Sequence, residues 1–454
     1  MKVFLRANAG WVLIGIFCAI PVIRWMMIND FSALFENRFL LISTASKIAA
    51  IIGTMLYAIN FVLALRASWL ESLFGGMNKV YIAHHITGGL ALIFVSLHPL
   101  FIGLRYINDL SASSFQSAAD ALLPDKVVLG EGIQKFMESA AVNFGTIAYI
   151  GLVVLLLVTF FIKLPYGLWL KTHKFLGVSF LIAGLHIIYI SSDVKNDLPL
   201  RLYLVVWIGL GLAAFVHRTL VPNIFVQRFK YTVTRVANLS SNVVNIVLSP
   251  KGKHIPFKAG QFIFVRFTNS KVVSKEMHPF SLVSKEGSDE LELQIKYLGD
   301  FTSKLGSLEV GTKAQIEGAF GRFSPHRYRT GDQVWIAGGI GITPFLSSAR
   351  SFREDMQKTW LFHAVNDRSE LVSDAEFNAI TIYASNKFTY EAYVKSEHTD
   401  FLSAAYIASK IEGDLTSKTF FICGPPPMMQ SLRVQLKAAG VPNKRIISEE
   451  FSIQ

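Results

Sequence analysis

The sequence predicts a six-helix membrane bundle followed by an antiparallel β-barrel and a doubly wound α/β domain. Hydrophobic residues make up 52% of the 454 residues and charged residues only 17%, which is too apolar for an ordinary soluble protein. The long apolar runs are confined to residues 11–217, whereas residues 228–454 show short β-rich runs and then alternating strands and helices. We therefore expect three domains, at residues 1–220, 228–328 and 332–454.

Six apolar segments are long enough to cross a membrane. Lys2 and Arg6 precede the first of them as in a signal peptide, but no small-residue cleavage site follows, so we expect a retained helix. Basic and acidic residues dominate alternate loops. The positive-inside rule therefore predicts a multi-pass protein of the inner (cell) membrane, with both termini and the soluble domains in the cytoplasm. The segments lie near residues 11–29, 40–65, 79–104, 145–163, 175–192 and 200–217.

Charge and cysteine content exclude two other classes of protein. The 44 lysines and arginines outnumber the 32 acids, but they are spread along the chain without an arginine-rich arm, which argues against a nucleic-acid partner. Membrane orientation and an anionic cofactor account for them better. Only Cys18 and Cys423 are present, so no disulfide framework is expected.

Four histidines lie in or beside two of the apolar segments. His84 and His98 are fourteen residues apart, about 21 Å of helix rise and about 40° of rotation. His173 and His186 are thirteen apart, about 20 Å and about 140°. Because the two helices run in opposite directions, we expect His84 opposite His173 and His98 opposite His186, each pair holding one haem iron.

The rotation between His173 and His186 is too large for an ideal helix, which predicts a bulge or bend at Gly177 or Gly184. His85 is an alternative ligand to His84, since its spacing to His98 is thirteen. A single intramembrane histidine is more often a buried hydrogen-bonding residue, but four at reciprocal depths favour haem.

Other residues near the histidines have two interpretations. Gly88 and Gly177 follow His84 and His173 by four residues, which suits either the approach of a porphyrin or close helix packing. Arg24 and Lys47 suit either haem propionates or snorkelling towards lipid headgroups.

Two kinds of β-structure are expected in the soluble half. Short β-rich runs predict a small antiparallel barrel. From residue 333 the strands alternate with helices, as in a doubly wound parallel sheet whose ligand crevice lies at the carboxyl ends of the strands. The barrel runs are residues 230–238, 243–249, 261–268, 278–284, 291–297 and 312–318.

Three motifs in this half suggest cofactor chemistry. HPFS at 278–281 and the segment at 295–305 carry hydroxyls and charge that suit a flavin and its pyrophosphate, although either alone would be an ordinary turn. GGIGITP at 338–344 follows a strand and opens a helix, where backbone can approach a dinucleotide pyrophosphate. CGPPPMM at 423–429 puts a small thiol and a rigid turn at a strand end, where a nicotinamide could meet the flavin; the alternative is a proline-rich helix start with a buried cysteine.

Taken together, these residues resemble the NADPH oxidase and ferric reductase family over nearly the whole chain. His84, Gly88, His98 and Pro99 match the HxxxG and HP elements of its six-helix ferric-reductase-like domain. HPFS, GGIGITP and CGPP occur in the order and spacing of its ferredoxin-reductase-type module for FAD and NAD(P)H.

The resemblance also implies site residues. In such modules a near-terminal aromatic stacks over the isoalloxazine, which points to Phe451, and Cys423 is the other catalytic candidate. Arg368, just beyond the second strand of the nucleotide sheet, is placed to meet a 2′-phosphate, which favours NADPH over NADH; the alternative is an exposed loop charge. The implied flavin contacts are His278, Pro279, Phe280, Ser281, Lys296, Thr302 and Ser303. The implied nicotinamide nucleotide contacts are Gly338, Gly339, Gly341, Thr343, Cys423, Gly424 and Pro425.

The expected activity is electron transfer from cytoplasmic NAD(P)H through FAD and two b-type haems to an acceptor on the outer face, either dioxygen or a ferric chelate. Flavin is needed because hydride delivers two electrons and each haem accepts one. One alternative acceptor is a periplasmic redox protein. Another alternative is a non-enzymatic transporter or receptor with a degenerate nucleotide module, which the four histidines disfavour.

Overall fold

Ten α-helices occupy the described part of the chain before residue 222. The structure is a computed structural model that describes residues 8–30, 37–108, 111–123, 127–128, 130, 132–221, 226–328, 331–353 and 355–449. The division between its two compact units falls after Val226. The helices of the first unit are α1 (Ala9–Ile28), α2 (Arg38–Leu63), α3 (Ser68–Phe74), α4 (Met77–Tyr106), α5 (Ala112–Leu122), α6 (Ile133–Ser139), α7 (Ala141–Phe161), α8 (Tyr166–Tyr189), α9 (Asp193–Asn196) and α10 (Leu198–Phe215), which a π-helical turn extends to Leu220.

Six of these helices, α1, α2, α4, α7, α8 and α10, are long and apolar enough to span a membrane, which confirms the predicted number. The fifth begins nine residues before the apolar segment that predicted it. Lys171 and Lys174 lower the local hydropathy there but leave the backbone hydrogen bonding of the helix intact. His173 therefore lies inside α8.

The predicted bulge in α8 is wrong, because the helix runs from Tyr166 to Tyr189 without a π or 3₁₀ interruption. Gly177 instead serves helix packing, since a Cβ atom there would lie 2.2 Å from the Phe215 ring of α10. Phe180 stacks on Tyr57 of α2 at 4.8 Å between ring centres, and the Tyr57 hydroxyl donates to the Leu176 carbonyl at 2.8 Å. Small and aromatic residues thus lock α8 against α2 and α10.

The second unit begins with a six-stranded antiparallel sheet that curls around a core of aliphatic and aromatic side chains. Its spatial order is β4-β3-β6-β1-β2-β5, and all of its pairs are antiparallel, so the predicted barrel is confirmed. The strands are β1 (Phe229–Ser240), β2 (Val243–Pro250), β3 (Phe262–Phe267), β4 (His278–Ser281), β5 (Leu291–Lys296) and β6 (Lys313–Phe320).

A five-stranded parallel sheet follows in the order β11-β10-β7-β8-β9, which confirms the predicted doubly wound domain. The strand order reverses between β7 and β10, so the ligand crevice of such a sheet lies outside the ends of those two strands. The short edge strand β11 was not predicted. The strands are β7 (Gln333–Gly338), β8 (Thr359–Val365), β9 (Phe388–Val394), β10 (Thr419–Cys423) and β11 (Ile446–Glu449). The helices are α11 (Thr343–Arg350), α12 (Asp374–Tyr383), α13 (Ala404–Lys410) and α14 (Pro426–Ala438).

Arg350, at the end of α11, joins the barrel to the parallel-sheet domain. Its guanidinium donates to Glu292 of β5 at 2.5 Å and to the Val283 carbonyl at 2.9 Å, both in the barrel. Towards its own domain it makes a bidentate pair with Glu376 at 2.6 and 2.9 Å. Because only 19% of the Arg350 side chain is exposed, these bonds are partly shielded from water.

We predict that Arg350→Met lowers the free energy of unfolding of the second unit by about 2 kcal/mol, because it leaves two partly buried carboxylates without their cation. Thermal unfolding of the full chain, followed by release of bound flavin, would measure this as a lower midpoint. Arg353→Met is the control, since Arg353 pairs with Asp355 and its side chain is 63% exposed. Equal midpoints for the two variants would contradict the role of Arg350.

Candidate cofactor sites

Two histidine pairs face each other between α4 and α8. The ring centres of His84 and His173 are 6.2 Å apart, and those of His98 and His186 are 6.4 Å apart. Both pairs are the ones that the sequence predicts. On an ideal helix His173 and His186 would point about 140° apart. Both nevertheless face α4, although α8 has no π or 3₁₀ interruption.

The hydrogen bonds of the rings leave one nitrogen available at three of the four histidines. Nδ1 of His84 lies 3.1 Å from the Asn60 carbonyl, and Nδ1 of His186 lies 2.8 Å from the Ala141 carbonyl. Nδ1 of His98 lies 3.1 Å from the Ser46 carbonyl and 2.9 Å from the Ser46 hydroxyl. A carbonyl can only accept, so Nδ1 carries the proton in these rings and Nε2 keeps its lone pair for a metal.

His173 is held differently. Its Nδ1 is buried and has no hydrogen-bond partner among the described residues. The ring stacks on Trp169, one turn earlier in α8, at 5.2 Å and 8° between planes. Packing rather than a hydrogen bond thus orients this fourth imidazole.

The spacing of the rings fits a shared metal ion. A nitrogen–metal bond of about 2 Å on each side, with each ring centre about 1.1 Å behind its nitrogen, would separate the ring centres by about 6.2 Å. If the rings were merely packed against each other, nothing would require nearly the same separation of ring centres in both histidine pairs. The described residues contain no cluster of three or more His, Cys, Asp or Glu side chains that could hold a metal ion, but an iron in a porphyrin needs only two axial ligands.

The structure also locates His85 and Gly88, for which the sequence left two interpretations open. His85 is exposed on the outside of α4, with its ring 5.9 Å from that of His84, and His84 is the residue that faces His173. A Cβ atom at Gly88 would lie 3.1 Å from the Asn60 amide, so this glycine admits the residue that orients His84.

Gly145 is a residue that sequence reasoning missed. A Cβ atom there would lie 2.8 Å from Nδ1 of His186, so the glycine lets the imidazole rest directly on α7. A glycine within an apolar run was the only signal in the sequence.

Basic residues near the His98–His186 pair are matched by acids. Arg24 makes a bidentate bond with Asp197 at 2.5 and 3.0 Å. Lys47, next to Ser46 in the chain, bonds Asp193 at 2.8 Å, and Asp193 also accepts from the Trp25 indole at 2.9 Å. The positive charges predicted for propionates or for headgroups are thus largely neutralised within the protein.

The HPFS motif forms β4 and ends beside an aromatic stack. The His278 ring lies 3.8 Å from the Phe301 ring, and its Nε2 is 3.1 Å from Glu276. Burial lowers the pKa of His278, and the Glu276 carboxylate opposes that effect. Pro279, Phe280 and Ser281 are half-buried along the same strand.

Hydroxyls of the neighbouring loop stabilise the loop itself. The Thr302 hydroxyl accepts from the amides of Leu298 and Gly299 at 2.9 and 3.0 Å, and the Ser303 hydroxyl donates to the Asp300 carbonyl at 3.3 Å. Lys296 lies 3.7 Å from Glu370 of the parallel-sheet domain. These residues lie within one loop region, as predicted, and their role towards a flavin stays a prediction.

The two glycine-rich loops meet at the switch point of the parallel sheet. GGIG follows β7 and CGPP follows β10, and a Cβ atom at Gly341 would lie 2.4 Å from the Cys423 carbonyl. A Cβ atom at Gly424 would lie 2.9 Å from the Gly338 backbone, and Gly339 has φ of +52°, which favours glycine. These glycines let two backbones touch at the place where a dinucleotide binds in such sheets.

Thr343 and Pro425 complete the two turns. Thr343 is buried at the start of α11 and donates to the Ile340 carbonyl at 3.1 Å. Pro425 precedes α14 in an extended conformation.

Cys423 is fully buried at the end of β10. Burial and the nearby Glu449 carboxylate raise the pKa of its thiol. The group therefore remains a protonated thiol at neutral pH rather than a nucleophile. Its contact with a nicotinamide stays a prediction, and Phe451 lies outside the described residues.

His363, on β8, is a second residue that sequence reasoning missed. It is fully buried, and its Nε2 lies 3.0 Å from the Gly339 carbonyl, so it holds the GGIG loop from below. Burial lowers the pKa of His363 to about 4. Its place in an apolar strand was the only signal in the sequence, and nothing there indicated its partner.

Arg368 lies in the short 3₁₀ turn after β8. Its side chain is 71% exposed and makes a bidentate bond with Glu397 at 2.5 and 2.9 Å. Glu397 follows β9, so the pair lies near the carboxyl ends of adjacent strands. This location is compatible with either interpretation of Arg368.

The fold and these sites together define a membrane-spanning protein with a flavin- and nicotinamide-binding module. Family models match in three places. The "Ferric reductase like transmembrane component" matches residues 49–184, an "FAD-binding domain" residues 228–328, and an "Oxidoreductase NAD-binding domain" residues 335–433. The chain belongs to the family that joins a ferric-reductase-like membrane domain to FAD- and NAD-binding domains of the ferredoxin-reductase type.

Individual relatives match parts of the chain. The reductase component of phenol 2-monooxygenase from Pseudomonas sp. (strain CF600) is 26% identical over 50% of this chain and 66% of its own length. Respiratory burst oxidase homolog protein A from Solanum tuberosum is 30% identical over 33% of this chain and 17% of its own length. The solved ferredoxin NADP⁺ reductase from Neisseria gonorrhoeae, with bound FAD and NADP, is 22% identical with a TM-score of 0.43 over 50% of this chain and 99% of that chain. The chain thus spans about two thirds of the first curated relative and less than a fifth of the second.

We predict that His363→Gln makes stability less dependent on pH. An unfolded histidine has a pKa of about 6.5, so on acidification the unfolded chain takes up the proton before the buried ring can. The neutral ring therefore contributes its full stability above about pH 6.5. This stability is lost as pH falls towards the pKa of the folded state, and the loss is about 2 kcal/mol at pH 5. The drop in unfolding midpoint between pH 7 and pH 5 should be smaller in this variant than in the wild type.

His254→Gln is the control for this measurement, because His254 is exposed and lies 3.2 Å from Asp289. It should keep the wild-type drop. The same drop in the His363→Gln variant would show that His363 does not titrate on unfolding.

Proposed function

We propose that this protein is a transmembrane oxidoreductase that passes electrons from cytoplasmic NAD(P)H, with FAD and two b-type haems as cofactors, to an acceptor on the outer face. The observation that carries the proposal is the presence of two facing imidazole pairs at two depths between α4 and α8. In three of the four rings a protonated Nδ1 leaves Nε2 free, so these imidazoles would be able to hold haem iron. The FAD- and NAD-binding domains supply the electron entry.

The protein's own contribution would be to position the groups and to exclude competing reactions. Asn60, Ser46 and Ala141 would fix the orientation of three imidazoles through backbone carbonyls. Bound flavin supplies the conversion of a two-electron hydride into single electrons. The four histidines would hold the two haems, which would supply one-electron transfer towards the outer face.

In the soluble unit, the switch point of the parallel sheet would take the nicotinamide nucleotide. Gly338, Gly339, Gly341 and Gly424 would bring backbone close to its pyrophosphate, with His363 supporting the loop from below. Residues of β4 and of the 298–303 loop would contact FAD, and Phe451 would stack over its ring system. Cys423 would contribute shape rather than nucleophilic chemistry because its thiol stays protonated.

The acceptor is dioxygen or a ferric chelate in this proposal. The test is NADPH consumption by purified protein in anaerobic buffer, in air, and in anaerobic buffer with ferric citrate. In air, superoxide is detected by the reduction of cytochrome c, with and without superoxide dismutase. Oxygen-dependent, dismutase-sensitive reduction identifies dioxygen, and anaerobic reduction of ferric citrate identifies the chelate. Reduction of the bound flavin and b-type haems by NADPH, without sustained NADPH consumption on either acceptor, would overturn both assignments and favour a redox protein as acceptor.

We predict that His98→Leu removes one haem and leaves the other. Its reduced-minus-oxidised spectrum should have about half of the b-type absorbance per polypeptide, because a single remaining imidazole does not retain haem in lipid. Transfer to the outer acceptor should cease, while reduction of flavin by NADPH proceeds at the wild-type rate.

His85→Leu is the matched control, since His85 lies one position from His84 and is exposed, whereas His84 is the ring that faces His173. It should retain the full spectrum, whereas His84→Leu should lose about half. Equal losses in the two variants would refute the assignment of His84.

We predict that Arg368→Ala raises the KM for NADPH by about tenfold and leaves the KM for NADH unchanged, because a charge-assisted bond to a 2′-phosphate contributes about 1.5 kcal/mol at an exposed site. Steady-state rates with a dye that accepts electrons from flavin would measure this. Arg353→Ala, at another exposed arginine, should change neither KM. An unchanged NADPH preference in Arg368→Ala would establish Arg368 as an ordinary surface charge.

A further inference from the structure

The longest stretch of this chain without an acidic residue runs from the last membrane helix into the barrel. Residues 198–275 contain no Asp or Glu and eleven Lys or Arg, in a chain with 32 acids among 454 residues. Residues 228–328 carry 15 basic and 8 acidic residues, whereas residues 329–454 carry 13 and 14. The positive charge of the second unit therefore belongs to the barrel rather than to the parallel-sheet domain.

Three lysines of the barrel surround one depression of about 350 Å³ at the end of the sheet where β1 begins. On the β1–β6 ladder Lys230 is opposite Gln315 and Thr232 is opposite Lys313. The amide of Lys251 donates to the Lys230 carbonyl at 2.7 Å, which brings the third lysine to the same edge. The depression is lined by Lys230, Lys251, Lys313, Thr232, Thr268 and Gln315, together with Tyr231 and Ala314.

The three lysines of the depression have no carboxylate partner among the described residues, unlike two other lysines of the unit. Lys258 pairs with Glu286 at 2.7 Å, and Lys358 pairs with Glu412 at 2.7 Å. By contrast, Lys230, Lys251 and Lys313 are exposed and form no ion pair with the described part of the chain.

The nearby acids are engaged elsewhere. Asp289 lies 3.2 Å from His254, and Glu290 accepts a hydrogen bond from Ser249. Neither carboxylate lines the depression. Three lysines with hydroxyl and amide groups between them thus line a depression that carries excess positive charge and is wide enough for a phosphate group.

We propose that this depression binds the phosphate of an anionic phospholipid headgroup. Lys230 follows the end of the sixth membrane helix, Leu220, by ten residues, and the acid-free segment begins within that helix. Basic clusters that directly follow a membrane helix are attracted to anionic lipid headgroups. A soluble phosphate compound offers the same chemistry. Its binding would not explain, however, why the acid-free segment begins within a membrane helix.

The test uses the full-length protein in lipid nanodiscs of phosphatidylcholine alone or with phosphatidylglycerol. Brief acylation of lysine amines, read by mass spectrometry, reports the accessibility of each lysine. We expect acylation of Lys230, Lys251 and Lys313 to slow by at least about threefold in anionic discs and to recover at high salt. Lys437 and Lys444, exposed lysines of the parallel-sheet domain, should react equally in both kinds of disc.

Two further arms separate the alternatives. Inorganic phosphate added to neutral discs should not protect the three lysines, and protection there equal to that in anionic discs would overturn the lipid assignment. The variant K230Q/K251Q/K313Q should retain less phosphatidylglycerol per chain after purification from mixed micelles than K387Q/K437Q/K444Q, which removes the same charge elsewhere. Equal retention, or equal acylation in both discs, would refute the proposal. Neither measurement involves electron transfer, so these outcomes are independent of the proposed function.

Discussion

The membrane half of this protein depends on the hydrogen bonds that hold imidazoles inside lipid. An unpaired polar nitrogen is costly there, and three of the four rings meet this constraint by donating Nδ1–H to a backbone carbonyl of Asn60, Ser46 or Ala141. Each bond settles which nitrogen is protonated and leaves the other nitrogen with a free lone pair. Glycines at 88 and 145 give the partners room to approach. The contacts that make these histidines tolerable in the membrane therefore also fix their tautomer.

In the second unit the main requirement is that two backbone segments come close together at one edge of the parallel sheet. Gly341 and Gly424 remove the side chains that would separate the loops after β7 and β10, and buried His363 holds one of these loops by its Gly339 carbonyl. Arg350 ties this sheet to the barrel through carboxylates on both sides. A flavin held by one domain and a nucleotide held by the other would thereby keep a constant separation, which hydride transfer requires.

The membrane helices and the barrel differ in how their charged residues are paired. The cations near the His98–His186 pair, Arg24 and Lys47, are matched by Asp197 and Asp193 inside the protein. The barrel that follows the last membrane helix carries excess positive charge instead, and three of its lysines have no acidic partner among the described residues. Paired charges suit a buried or low-dielectric setting, and unpaired ones suit an anionic surface.

The sequence by itself determined the six membrane helices, the antiparallel barrel, the parallel sheet and the pairing of the four histidines, because apolar length, strand alternation and residue spacing are local properties of the chain. Spacing misled only where it assumed ideal geometry, since α8 has no bulge and yet presents both of its histidines to α4. The tertiary structure alone decided that His84 rather than His85 faces His173, that Gly177 packs against Phe215, and that Gly145 and His363 support the sites. Those facts depend on contacts between residues distant in the chain, which no local pattern encodes.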